Sequence, residues 1–81
     1  MREFVDGSGA AWMAGVRERP GPDYKGRYFL FLEPGGGGDG LALLDVRWNS
    51  ERTARRTLET MSDVELRRRL RSALGRGAGA R

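Results

Sequence analysis

The apolar residues of this chain change their spacing once, between Trp48 and Asn49. Upstream they alternate at every second position, the repeat of a strand; downstream they recur every three or four positions, the repeat of a helix. All strands must therefore precede all helices. With 81 residues there is chain for one domain. The reading is an α+β fold: a four-stranded antiparallel β-meander followed by two short C-terminal α-helices packed on the sheet, where alone their apolar stripes can be buried.

The segments follow from their stops. Arg2 to Val5 is a short strand, ended by the hairpin signal Asp6-Gly7-Ser8-Gly9. Ala11 to Glu18 follows, with Trp12, Ala14 and Val16 on one face and Met13, Gly15 and Arg17 on the other. Arg19-Pro20-Gly21-Pro22-Asp23 cannot continue a ladder, because proline lacks the donor N–H; a loop closing near Gly26 is expected. Arg27 to Glu33 is the third strand, with Tyr28, Leu30 and Leu32 opposite Phe29 and Phe31. Pro34 ends it, and Gly35 to Gly40 form a flexible connection. Leu41 to Trp48 is the fourth strand. Its wholly apolar set, Ala42, Leu44, Val46 and Trp48, is assigned to the core, and Leu41, Leu43, Asp45 and Arg47 to the opposite face.

Asn49 or Ser50 caps a first helix through about Met61, with Ala54, Leu58 and Met61 as its stripe. Ser62-Asp63-Val64-Glu65 is a capping box, and Met61 and Leu66 stand where a hydrophobic staple would close over it. Leu66, Leu70, Ala73 and Leu74 face the core, and Gly75 suits a left-handed cap. The domain is thus placed at residues 1–75, with 76–81 a flexible Gly/Ala/Arg tail.

Absences narrow the chemistry. The chain has neither cysteine nor histidine, which removes the usual nucleophile–base pairs and nearly every transition-metal site. The glycine run at 35–40 joins two strands and carries no Lys-Ser/Thr, so it lacks the helix-opening geometry of a phosphate loop. Asp6, Asp23, Glu33, Asp39 and Asp45 sit mostly at turns, where aspartates satisfy backbone donors. The expectation is a protein that is not an enzyme, with no metal and no cofactor. No apolar run is long enough for a membrane span and no signal-peptide core opens the chain, so a cytoplasmic place is expected by default.

Charge is uneven. Met1 to Asp45 carry 5 basic and 7 acidic side chains; Val46 to Arg81 carry 10 basic and 4 acidic, for a total of +4. Such asymmetry suits an anionic partner, nucleic acid above all. The Arg, Gly and Ala bias is also what GC-rich coding yields without selection for a ligand. On the helices, Arg52 and Arg56 share a face, as do Arg67 and Arg71, with Arg68 beside them. These five are the expected nucleic-acid-binding residues. Glu51–Arg55, Arg55–Glu59 and Glu65–Arg69 are (i, i+4) pairs that neutralise part of the field.

A second surface comes from the strands. Met13, Phe29, Phe31, Leu41 and Leu43 share the sheet face opposite Trp12, Tyr28, Leu30, Leu44 and Trp48. A wet sheet face should alternate apolar with polar residues, and this one does not. Either one helix covers each face, or both lie on one; with both helices on the Trp48 face, the favoured arrangement, the other reads as a partner or homodimer interface, the arginines then serving only solubility.

The order of Gly26-Arg27-Tyr28, the glycine loop Gly35 to Gly38, another strand and a helix resembles the ββββα repeat of PUR-type nucleic-acid-binding proteins. The extra helix and the single copy depart from that repeat, so no residue is carried over. The helix from Ser62 to Leu74 is similar to the first helix of SAP-type DNA-binding modules, whose second half is missing here.

Overall fold

The computed structural model describes residues 1–19 and 26–79, the last four of these as backbone. Four strands, β1 (Arg2–Val5), β2 (Ala11–Glu18), β3 (Tyr28–Pro34) and β4 (Leu41–Trp48), precede two helices, α1 (Glu51–Thr60) and α2 (Asp63–Gly79). The strands form one sheet in the order β1-β2-β3-β4, every pair antiparallel. This is the meander that the change of period requires. All but Arg19 of the expected proline loop at 19–23 lies outside the described residues.

Both helices lie on one face of the sheet. Leu58 of α1 and Leu66, Leu70 and Ala73 of α2 join Phe4, Ala14, Leu30, Leu32 and Leu43 in a single buried cluster. Trp12, Val16, Leu41, Val46, Trp48 and Met61 pack around its margin. The amphipathic stripes thus find the apolar strand face, as burial of apolar area demands.

The fourth strand departs from the sequence reading. Trp48 pairs with Tyr28 and Arg47 with Phe29, but the ladder resumes only at Leu43, opposite Leu30. Leu44, Asp45 and Val46 therefore face no residue of β3. An odd insertion reverses the side-chain faces beyond it. Val46 and Trp48 reach the core margin as expected, whereas Ala42 and Leu44 are turned out and Leu41 and Leu43 are turned in. Leu43 is 1% exposed and Leu44 46%. The assignment of Leu41 and Leu43 to a partner face is overturned: the bulge turns both to the helix side, Leu43 into the core and Leu41 to its margin.

Local signals set the helix starts. Ser50, in extended backbone, accepts from the Thr53 N–H at 3.2 Å and caps α1. Asn49 does a different job, its Oδ1 accepting from the Gly26 N–H at 2.7 Å. Gly26 needs its positive φ of 63° there. Ser62 accepts from the Glu65 N–H at 3.1 Å, but Glu65 does not reach back. Its carboxylate runs along α2 to Arg69 (2.9 Å) and Arg68 (3.6 Å). Half of the capping box forms.

The expected stop at Gly75 is not made. Gly75 keeps a negative φ and α2 continues to Gly79. A glycine permits a left-handed cap without enforcing one, and nothing lies within 4 Å of the Gly75 Cβ position to end the helix. One tie was invisible in the sequence. The Arg2 guanidinium donates to the Met61 carbonyl and to the Asp63 carboxylate, fastening β1 to the junction between the helices.

Candidate functional site

The helix arginines do not form one field. On α1, Arg52, Arg55 and Arg56 surround an open depression together with Glu51 and Glu59. Arg55 is spent on Glu51, its Nη2 lying 2.7 Å from Oε2. On α2, Arg67 and Arg71 stand one helical turn apart, as their spacing predicts. They rim a groove of about 470 Å³ against the β1–β2 turn, with Asp6, Gly7 and Ser8 as the far wall. Its floor includes the exposed Val64 and Leu74, which are 59% and 47% accessible. Leu74, expected in the core, lines this groove instead. Arg67 is anchored by donating to the Val5 carbonyl at 3.2 Å.

Arg68 does not join that pair. It borders a separate hollow with Asp45, Glu65 and Arg69, and its Nη1 lies 3.6 Å from Glu65. Of the five expected residues, the fold therefore sets Arg67 and Arg71 on one groove, Arg52 and Arg56 on α1, and Arg68 apart. Among the described residues no ion pair holds Arg52, Arg56 or Arg71.

The second candidate surface is the sheet face that neither helix covers. Met13, Phe29 and Phe31 lie there, each partly buried, with Ala42, Leu44 and Val5 more exposed. Ala42 and Leu44 replace Leu41 and Leu43. Phe31 pairs across β2 with Gly15 and across β4 with Ala42. The Arg17 guanidinium carbon sits 3.8 Å above the centre of the Phe31 ring, and its Nη2 lies 3.7 Å from Glu33. Arg47, level with Phe29, runs along the backbone of Gly26.

The charged residues of this face carry a pattern that sequence alone did not give. Glu3 and Glu33 flank Met13, and Arg17 and Arg47 flank Phe29. The signal was available only through register, since these residues stand on four different strands.

Among the described residues, no three acidic side chains converge as metal ligands would. No helix there is long and apolar enough to cross a membrane. No protein-family model, curated protein or solved structure matches this chain.

Proposed function

We propose that this chain is a non-catalytic binding protein whose helices offer arginines to an anionic polymer, nucleic acid being the partner of choice. One observation supports the reading: Arg52, Arg56 and Arg71 are exposed and, among the described residues, no carboxylate pairs with them, whereas Arg2, Arg17, Arg27, Arg55, Arg68 and Arg69 each have an acidic partner. Guanidinium groups left without a carboxylate are free to take phosphate oxygens, and planar bidentate pairing favours phosphate over chloride. The apolar floor beside Arg67 and Arg71 suits a sugar or an unstacked base next to its phosphate.

The test is a titration of labelled single-stranded and duplex DNA and RNA at two salt concentrations. If Arg52, Arg56, Arg67 and Arg71 all meet phosphates of a duplex, affinity falls about 150-fold between about 50 and about 200 mM salt. If only Arg67 and Arg71 do, the fall is about 12-fold. Arg67→Glu with Arg71→Glu should abolish binding while the melting temperature stays near that of the parent. Equal binding by this variant ends the reading.

A further inference from the structure

The uncovered sheet face has an order that a merely solvated surface does not need. Register places three rows across it. Glu3, Met13 and Glu33 form an acidic row at one end. Gly15, Phe31 and Ala42 form a small, uncharged middle row. Arg17, Phe29 and Arg47 form a basic row at the other end. On β2 and β3 successive rows are two residues apart, about 7 Å along the strands, while on β4 the bulge lies between Ala42 and Arg47.

From this arrangement we infer that the face is an interface for a second copy of this chain, joined by a two-fold axis that crosses the strands at the Phe31 row. The physical reason is charge self-complementarity. An axis lying between two such faces and running across the strands reverses strand direction while leaving lateral order unchanged. It sets the acidic row of each copy over the basic row of the other and Phe31 over its counterpart. An isologous interface needs this reciprocity: what one copy offers at one end, it must receive at the other. An axis parallel to the strands would set acid on acid and is excluded by the same charges.

The lateral fit also holds. Glu3 and Glu33 stand on β1 and β3, Arg17 and Arg47 on β2 and β4. Each carboxylate therefore comes one strand spacing, about 4.8 Å, to the side of a partner arginine, well within the reach of that side chain. The middle row is low: Gly15 has no side chain of its own, the Met1 Cγ comes to 4.0 Å of its Cβ position, and the Phe31 ring lies over Gly40 with the Arg17 guanidinium above it. Packed sheets approach through such low rows once the long side chains above them move aside. In the single chain Arg17 folds back across Phe31 toward its own Glu33, 3.7 Å away with both groups about half exposed. So loose a pair exchanges readily for the partner's carboxylates.

The inference is independent of the helix arginines, which lie on the other side of the sheet. Sedimentation velocity on the unmodified chain, from about 1 to about 500 µM, should show the mass rising from 9.0 kDa toward twice that value. Two charge-reversed variants supply the specific test. Glu3→Arg with Glu33→Arg makes the face wholly basic; Arg17→Glu with Arg47→Glu makes it wholly acidic. Each alone should self-associate at least about 100-fold more weakly than the parent, and an equimolar mixture should form a one-to-one heterodimer. A dilution series followed by amide NMR covers the case in which a variant does not fold. Shifts with concentration should gather at Gly15, Phe29, Phe31 and Ala42. A parent chain that stays monomeric throughout, variants that associate as the parent does, a mixture that fails to pair, or shifts confined to α1 and α2 would each overturn the dimer.

Discussion

The indole Nε1 of Trp12 donates to Asp6 Oδ2 at 2.9 Å, joining the second residue of β2 to the turn that precedes it. The other oxygen, Oδ1, accepts from the Ser8 N–H at 2.9 Å, the Ser8 hydroxyl at 2.8 Å and the Ala10 N–H at 2.9 Å. A single carboxylate therefore fixes the whole β1–β2 turn and one wall of the arginine groove.

Those donors favour the ionised form. The Ala10 N–H is the largest influence, followed by the Ser8 hydroxyl and the Trp12 indole, and together they lower the Asp6 pKa from 3.8 to about 2. Because the folded value is the lower one, the stabilisation is fully present above pH 3.8 and is lost as pH falls toward about 2. Thermal unfolding followed across this window should show the parent losing stability more steeply than Asp6→Asn. At pH 7 the variant should melt lower, and the gap should close as pH approaches the folded value. Parallel curves would mean that the carboxylate is not held as described.

The bulge in β4 makes two neighbouring leucines unequal. Leu43 is buried against Leu30 and the helices, while Leu44 faces outward. Leu43→Ala should cost about 2–5 kcal/mol, the range for truncating a buried leucine. Leu44→Ala should cost no more than about 0.5 kcal/mol. Urea unfolding of the two variants decides between this register and a regular ladder, which would exchange the two values.

That pair of residues also marks where the sequence stops being readable. Every strand and helix was legible, because the period of the apolar residues is a local property. The Ala54–Leu58 and Leu66–Leu70 stripes gave the buried side of each helix, but not which face of the sheet the helices cover, because both strand faces are rich in apolar residues. The inversion at Leu43 was not legible either. It depends on three residues, Leu44 to Val46, that stand outside the β3–β4 register, and nothing in their composition distinguishes them from regular strand. Likewise the helical spacing of Arg67 and Arg71 gave their shared face, but the separation of Arg68 follows from Glu65 turning along α2 rather than back to its cap. Contacts far apart in sequence, such as Arg2 with Asp63, leave no local trace.

Arg2 ties the edge strand to the helices through two acceptors, the Met61 carbonyl and the Asp63 carboxylate. Its side chain is 26% exposed, so its hydrogen bonds are partly shielded from water. Removing them in Arg2→Ala should cost about 1–2 kcal/mol, toward the low end for bonds to charged groups because Asp63 is half exposed. Arg2→Lys keeps the charge but loses the fork that serves both acceptors, and should recover only part of the loss. Native-state hydrogen exchange should show faster opening of β1 in Arg2→Ala, with β3 unaffected. Uniform acceleration throughout the sheet would count against a local tie.

The glycine run contains two positions of opposite character. Nothing lies within 4 Å of a Cβ built at Gly36, and its φ is not positive, so Gly36→Ala should be neutral or stabilise by up to about 1 kcal/mol through the unfolded chain. At Gly40 the Phe31 ring already occupies the space a Cβ would take, and the Leu32 carbonyl lies 3.1 Å from it. Gly40→Ala must push the ring off the sheet or move the backbone, at about 1–3 kcal/mol. The displaced ring would also roughen the middle row of the outer face. The same substitution should therefore lower both the melting temperature of the chain at low concentration and its tendency to self-associate. A destabilised Gly40→Ala that dimerises as well as the parent would separate the ring's packing role from the interface and place the two-fold contact elsewhere.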